Sequence, residues 1–484
     1  MMNVLFAIFE ASPYIKTGGL GDIGETLPRL IKSSDYDISV IMPKHGGISN
    51  ELLISLEKVT EFEFIMGSRK TYCGIFKTEF NGINYYLIDN EYYFNREKIY
   101  GDYDDGERMI YFSKAITEFI KHSAKFKPDI IHCNDWHTAL VPVMVNVDKE
   151  NGMLNKSIKT VLTVHNNKFQ GIYNISLLNE FLDLASNSDA IDALIWKNNN
   201  INFLKGGIVS CDRLTTVSES YAKELCLEDY GEGLDWLYRL ELSKFSGIMN
   251  GIDQKKYSPF YDKNIAKRYS ANSFENKAIC KAALQRELGF KEDKDVVFIG
   301  MVSRITEQKG FDIIIEIMND LMKKDIQFVI VGTGEDYYER SFYIYSKAYK
   351  DKFAYRKEFD VRLSSRIYAG VDIFLVPSKF EPCGLTQMIA MKYGAVPIVR
   401  ETGGLKDSVN PYNEYKDEGN GFSFKNYKAE ELLKIIEYAS SIFNDKRKWH
   451  NLIIRCMKSD FSWNNSISKY RKIYKEMGKN ENSL

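Results

Sequence analysis

Three stretches of this 484-residue chain carry side chains whose types and spacing could do chemistry on an anion. The first is Lys16-Thr17-Gly18-Gly19-Leu20-Gly21-Asp22, which follows the apolar run 4–9. Two adjacent glycines let the backbone turn sharply and approach a ligand closely, because no Cβ stands in the way. A helix reads from Asp22 onward, which aims backbone N–H groups and a positive dipole end at the loop, and Lys16 adds a mobile charge. The spacing is neither the G-x-G-x-x-G of dinucleotide sites nor a Walker loop. A plain strand-to-helix turn is the competing reading. An echo weighs against it: Thr402-Gly403-Gly404-Leu405-Lys406-Asp407 repeats the pattern after a second apolar run, 395–399.

The second stretch places Arg304 and Lys309 in one strand-to-helix loop. Two cations so close suit a diphosphate, the guanidinium binding bidentately and the ammonium acting as a point charge. The third is Glu381-Pro382-Cys383-Gly384-Leu385-Thr386. Pro382 reads as the first turn of a helix, so that the amides of Gly384, Leu385 and Thr386 face an anion. Glu381 stands just outside, able to accept hydrogen bonds from sugar hydroxyls. A carboxylate beside a phosphate site is otherwise repulsive, which argues for a task.

These stretches need elements to hold them. The run 4–9, the segments 38–42, 130–133, 160–164 and 213–217, and in the second half 296–302, 328–331 and 372–376, read as buried parallel strands alternating with helices. Polar clusters follow them: Asn134-Asp135-Trp136-His137 after one strand and His165-Asn166-Asn167 after the next. The carboxyl ends of buried strands are where open α/β sheets bind ligands. Between residues 59 and 88 the period changes to two, and Asn81-Gly82 marks a hairpin. Residues 91–96 form a loop dense with aromatics, a composition of sugar-binding surfaces and also of plain packing. A hinge falls between 246 and 259, where 247–253 is short and glycine-punctuated.

Composition narrows the class. The chain carries 65 basic and 66 acidic side chains, net −1, so no global field advertises nucleic acid or an anionic membrane. No apolar run reaches a membrane span, and no signal peptide is read at the start. Seven cysteines without zinc or redox spacing fit reduced thiols in a cytoplasm.

Taken together, Lys16 to Leu20, Asn134 to Thr138, His165-Asn166, 247–253, Ser303-Arg304 with Lys309-Gly310, Pro377 to Thr386, 401–405 and Phe461-Ser462-Trp463 resemble the bacterial glycogen synthase and plant starch synthase family, glycosyltransferase family 5. The resemblance covers essentially the whole chain in the family's order. It implies a GT-B fold: two doubly wound, Rossmann-like α/β domains facing across a cleft, with a C-terminal helix crossing back to the first. The boundaries it suggests are 1–248 on the acceptor side, 249–460 on the donor side and 461–484 for the helix. It implies transfer of glucose from ADP-glucose to the non-reducing end of an α-1,4-glucan, with retention and without a metal or other cofactor. By position, Lys16, Gly18 and Gly19 would touch the donor phosphates, and Arg304 and Lys309 would grip them with Cys383, Gly384, Leu385 and Thr386. Glu381 would hold the glucose, and His165 would lie beside the anomeric carbon. Asp135 and Asn250 would line the acceptor and donor sides, Asp22 would support the glycine loop, and Phe359 would stack near the adenine.

Two departures accompany the resemblance. A second Glu eight positions after the first, common in retaining relatives on this fold, is Ile389 here, and Phe359 cannot hydrogen-bond as a Tyr would. Competing readings are a retaining transferase using UDP-glucose or another acceptor, and a non-catalytic glucan- or nucleotide-binding homologue. The intact Lys16, His165, Arg304, Lys309 and Glu381 argue against the latter. A nicotinamide oxidoreductase is a weak third, since neither half carries the fingerprint.

Overall fold

Runs of Val, Ile, Leu and Phe bounded by glycine and polar clusters become strands buried on both faces. The computed structural model describes residues 1–123, 126–182, 184, 187–358 and 360–478. The chain divides into two compact units, the first made of Met1–Val217, Ala222–Met249 and the segment from Trp463, the second of Ser218–Tyr221 and Asn250–Ser462.

The first unit's main sheet contains β1 (Met2–Ala7), β2 (Tyr36–Pro43), β3 (Glu57–Met66), β4 (Arg69–Phe80), β5 (Ile83–Asp89), β6 (Ile130–Asn134), β7 (Lys159–Val164), β8 (Arg213–Thr216) and β9 (Phe245–Gly247). Their order is β9-β8-β7-β6-β1-β2-β5-β4-β3. Strands β9 through β5 pair in parallel, and β4 and β3 add an antiparallel edge. The β4–β5 turn is Asn81-Gly82, with φ of 50° and 76°, the two positive angles a tight hairpin needs. Chain order reverses beside β1, which has β2 on one side and β6 on the other, and helix α1 (Gly19–Ile31) follows β1.

Residues 91–96 fold differently from a loop. Glu91–Phe94 is a short helix, Tyr93 and Phe94 are buried, and Tyr93 stacks on Tyr111 at 4.4 Å. Those rings belong to the core, since packing satisfies them better than solvent.

The C-terminal helix (Asn464–Met477) also belongs to this unit. Ile467, Tyr470 and Tyr474, with Trp463 before them, join the apolar cluster of Val4, Phe6, Ile38 and Val40. The Tyr474 hydroxyl lies 2.6 Å from Nδ1 of buried His132, whose Nε2 lies 2.7 Å from Thr163 Oγ1. Arg471 donates to the carbonyls that close α1, Leu30 at 3.1 Å and Ile31 at 2.9 Å. Its own carbonyl accepts from Tyr36 at 3.0 Å.

In the second unit the strands are β10 (Val297–Val302), β11 (Ile326–Val331), β12 (Phe353–Arg356), β13 (Ile373–Val376), β14 (Val396–Arg400) and β15 (Phe422–Phe424), all parallel, ordered β12-β11-β10-β13-β14-β15. That is the doubly wound order, with its switch point between β10 and β13. Helix α2 (Phe311–Lys323) buries Ile314, Ile317, Met318 and Leu321. Helix α3 (Thr386–Lys392) starts four residues after Pro382, not at it. Gly384 is the reason: its φ of +71° is left-handed and breaks any helix entering from Pro382.

Candidate active site

In the first unit, the chain leaving β1 reaches Glu10, a carboxylate only 3% exposed. Its Oε2 accepts the Thr17 N–H at 2.5 Å and the Thr17 hydroxyl at 2.9 Å. Burial still outweighs these donors, and the carboxyl titrates above its ordinary range. Gly18 then enters α1 with φ −157° and ψ −159°, extended backbone open to any residue. A Cβ on it would meet nothing nearer than Glu10 Oε1 at 4.0 Å. Packing therefore does not demand glycine at 18, and the missing side chain leaves room over the loop. Gly21 and Gly24 differ, since a Cβ would lie 2.9 Å from the Lys16 side chain and 2.8 Å from the Glu10 carbonyl.

Two details alter the expected chemistry of this loop. The Gly19 N–H has no acceptor among the described residues. Lys16 is not a loose cation: its Nζ lies 2.6 Å from Asp22 Oδ2, in the first turn of α1.

Strand β6 ends in Asn134-Asp135. Asp135 has φ 58° and ψ −177°, a conformation that costs a non-glycine residue about 1–3 kcal/mol and so needs compensation. Its Oδ1 accepts from the backbone N–H of His165 at 2.7 Å and of Asn166 at 3.2 Å. The His165 Nε2–H donates to Asn134 Oδ1 at 2.9 Å. Asp135 and Asn134 thus fix both the backbone and the ring of His165. Desolvation pushes the Asp135 carboxyl up to about 7 and the His165 imidazole down to about 3. His165 is neutral at physiological pH, able to hydrogen-bond but bringing no charge.

Tyr100 packs against Phe9 and His137, with ring centroids at 5.5 and 4.9 Å. Its segment is braced by Arg108, wholly buried, which donates to Asp102 at 3.2 Å and to Asp105. Asp102, Asp104 and Asp105 are the group among the described residues whose oxygens approach a metal-holding arrangement. Arg108 and Arg96, the latter 2.7 Å from Asp104, already neutralise it.

Burial lowers His45 to about 4 and His132 and His137 to about 3, as it does His165. Stability tied to these four is complete above the unfolded value of 6.5 and is lost as pH falls toward 4. Asp135 and Glu10, both raised, act in the opposite sense: their contribution is complete at low pH and is lost as pH rises. Near pH 5 four imidazoles act against two carboxyls, so the first unit should lose stability as pH falls there. Amide hydrogen exchange in β6 and β7 between pH 7 and 5, corrected for intrinsic rates, measures this. A flat opening free energy would contradict it.

In the second unit, β10 ends in Ser303-Arg304 and a tight turn, Glu307–Lys309. Gly310 follows with φ +82°, and a Cβ there would lie 2.3 Å from the Pro377 carbonyl. Strand β13 ends in Pro377-Ser378-Lys379-Phe380-Glu381. The two loops are stitched by the Lys379 N–H donating to Gln308 O at 2.9 Å and by Gln308 Nε2–H donating to Phe380 O at 3.3 Å. This brings Lys309 Nζ to 2.6 Å from Glu381 Oε2, and the Ser378 hydroxyl donates to the same oxygen at 3.0 Å. Glu381 is 7% exposed. Arg400, at the end of β14, donates to the carbonyls of Ser378 at 3.0 Å and of Lys379. Arg304 is exposed and forms no ion pair among the described residues.

Beyond Glu381, the N–H groups of Gly384, Leu385 and Thr386 have no acceptor among the described residues, and no side chain caps α3. Gln387 Nε2 donates to the carbonyls of Gly384 at 2.7 Å and Cys383 at 3.3 Å, drawing them inward. The Cys383 thiol is buried and desolvation pushes it up to about 12, so it is a packing group. Asn250 Oδ1 is buried without a hydrogen-bond partner, an acceptor with room for an incoming donor.

The Thr402-Gly403-Gly404 echo has a structural explanation. It opens helix α4 (Gly403–Ser408), and the Gly404 N–H donates to the carbonyls of Glu381 at 3.1 Å and Pro382 at 3.2 Å. A Cβ on Gly403 or Gly404 would lie 2.0 Å from Glu381 O or 2.1 Å from Cys383 O. These glycines serve close packing beneath the Glu381 loop; anion contact does not require them. Ile389 is buried in the core, and Phe359 lies outside the described residues. Sequence reasoning passed over Glu10, Tyr100, Arg400 and Gln387, and gave Asn134 and Ser378 no role beyond their motifs. Only Glu10 left a signal, a lone carboxylate ending an apolar run.

Residues 3–240 match the family described as starch synthase catalytic domain, and residues 281–452 match glycosyl transferases group 1. The glycogen synthase of Clostridium beijerinckii is 44% identical over 481 residues, 98% of this chain and 99% of its own. That of Clostridium perfringens is 45% identical over 477 residues, 99% of this chain and 98% of its own. The catalytic domain of starch synthase IV from Arabidopsis thaliana, solved bound to ADP and acarbose, superposes with a TM-score of 0.89 at 31% identity, covering 98% of this chain and 99% of that one. A sucrose-phosphate synthase from Thermosynechococcus elongatus, at TM-score 0.63 and 14% identity over 99% of each chain, shares the fold alone. No helix among the described residues is long and apolar enough to cross a membrane. The parallel-sheet units are those of a GT-B glycosyltransferase, and with relatives matched at this identity from end to end, the chain belongs to the glycogen synthase and starch synthase family.

Proposed function

We propose that this enzyme transfers glucose from ADP-glucose to the non-reducing end of an α-1,4-glucan, with retention at the anomeric carbon and in the cytoplasm. The observation that carries the reading is the Lys309–Glu381–Ser378 constellation at the switch point of the second unit, next to the open amides of Gly384, Leu385 and Thr386. A cation and unpaired N–H groups suit a departing diphosphate, and a fixed carboxylate beside them suits a sugar whose ring gains positive charge as the bond breaks. Arg304 adds a second, unpaired cation. On the first unit, Lys16 and the Gly18-Gly19 loop contact donor phosphate, His165 offers a neutral hydrogen-bonding ring at the anomeric centre, and Asp135 holds that ring's backbone in place. Asn250 presents its unpartnered carbonyl oxygen to a donor hydroxyl.

No metal takes part in this reading, because guanidinium, ammonium and amide groups supply the leaving-group stabilisation. The test is release of nucleoside diphosphate from ADP-glucose or UDP-glucose with glycogen as acceptor, with and without EDTA. We expect ADP release that EDTA leaves unchanged, and UDP release at least tenfold slower. Loss of activity in EDTA with recovery in magnesium would overturn metal independence, and preference for UDP-glucose would overturn the donor.

A further inference from the structure

Arg400 buries a guanidinium at the last position of β14, and burying a charge is costly unless hydrogen bonds compensate it. The compensating acceptors are main-chain carbonyls where the two neighbouring strands end. The β13–β14 ladder stops at Val376 opposite Val399, and Pro377 brings no N–H to extend it. Beyond that point the Arg400 side chain takes over. Its Nε donates to the Ser378 carbonyl at 3.0 Å, and its Nη2 donates to that of Lys379. On the other flank, Nη1 donates at 3.3 Å to the carbonyl of Lys425, the residue after β15. The Tyr427 ring lies 5.7 Å from Arg400 Cζ, and its hydroxyl donates to Asp312 in the first turn of α2.

Ser378 is the link to the carboxylate. Its carbonyl accepts from Arg400, while its hydroxyl donates to Glu381 Oε2 at 3.0 Å. Lys379 is held at both ends, its N–H donating to Gln308 O and its carbonyl accepting from Arg400. We propose that Arg400 is a positioning residue for Glu381: its fork fixes the Ser378-Lys379 backbone and, through it, the direction in which the carboxylate points. This rests on the reading of Glu381 as the group that steadies the sugar. The fork matters more than the charge. A guanidinium presents five donors in one plane, whereas an ammonium is a compact charge on a flexible stem. Lysine at this position keeps the charge but cannot span the ends of β13 and β15 at once.

The experiment compares the full-length wild type with Arg400→Lys, Arg400→Met, Glu381→Gln and the double variant Arg400→Lys with Glu381→Gln. It measures kcat, ADP affinity by calorimetry, the glycogen KM and the melting temperature. Arg400→Lys is expected to lower kcat at least tenfold, with ADP affinity and glycogen KM within threefold of wild type. Arg400→Met, which removes every donor, should lose more, so that lysine recovers part of the loss. In the Glu381→Gln background Arg400→Lys should change kcat by less than twofold, because effects that pass through one group do not multiply as independent ones do. A kcat within twofold of wild type in Arg400→Lys would overturn the proposal. So would the same fold loss in both backgrounds, or an ADP affinity that falls as far as kcat. If Arg400→Met fails to fold, Arg400→Lys decides by the same readings. A Glu381→Gln enzyme with kcat near wild type would refute the reading of Glu381 and this proposal with it. An impaired Glu381→Gln beside an unimpaired Arg400→Lys would refute the role of Arg400 alone.

Discussion

Glu381→Gln is expected to lower kcat about a hundredfold to a thousandfold while ADP affinity stays within a few fold of wild type. Both donors to Glu381, Lys309 Nζ and the Ser378 hydroxyl, meet at Oε2. A glutamine carbonyl can take that place, so the loop keeps its shape and only the charge is lost. The charge matters most when the sugar becomes cationic, which is a transition-state property, so kcat falls more than binding. ADP carries no glucose, and Lys309, freed of its carboxylate, is at least as available to the diphosphate. Steady-state ADP release and calorimetry separate the two. Weakened ADP with kcat near wild type would make Glu381 a nucleotide ligand and refute its placement at the sugar.

Lys309→Ala should lose both kcat and affinity. The ammonium faces a leaving group whose negative charge grows as the glycosidic bond breaks, and one preorganised contact of this kind is typically worth on the order of a hundredfold to a thousandfold in kcat. The structure adds a second effect. Lys309 is the cation on Glu381, and removing it leaves a carboxylate 7% exposed with the Ser378 hydroxyl as its remaining donor among the described residues. Leaving a buried charge without its cation is destabilising by several kcal/mol where the pair is fully enclosed and by less here, where the Lys309 side chain is 17% exposed. A fall in the second unit's melting temperature should therefore accompany the kinetic loss. A variant with wild-type kcat would place the leaving-group charge on Arg304 alone.

Strands were the legible part of this sequence because a parallel strand buried on both faces must be a continuous apolar run, as 4–9 and 328–331 are, and because Asn81-Gly82 can hardly be anything but a hairpin turn. The start of α3 was not legible. Pro382 invites a helix, and only the left-handed Gly384 shows that the chain turns once more first. The echo at Thr402 misled for a related reason: glycine signals close approach but not what approaches, and here it is the backbone of residues 381–383. The long-range ion pair was invisible in principle. Lys309 and Glu381 stand 72 positions apart and meet only because β10 and β13 are sheet neighbours. Lys16 and Asp22, six apart, could have been foreseen from the helix start, where an acidic side chain faces the preceding loop.

The C-terminal helix has a bearing on how the protein is made. Arg471 bonds to carbonyls of Leu30 and Ile31, 441 and 440 positions earlier, and Tyr474 bonds to His132 from 342 positions away. A ribosome adding roughly 5–20 residues per second needs roughly twenty seconds to a minute and a half to cover the longer of these intervals. Throughout it, the apolar surface of Val4, Phe6, Ile38 and Val40 that the helix will cover lacks its lid. The second unit, drawn almost wholly from Asn250–Ser462, has all but four of its residues in one stretch and emerges complete before that helix does. Translation thus begins with the first unit and finishes it last, and for that interval the nascent chain carries a sticky face that holdase chaperones are built to shield.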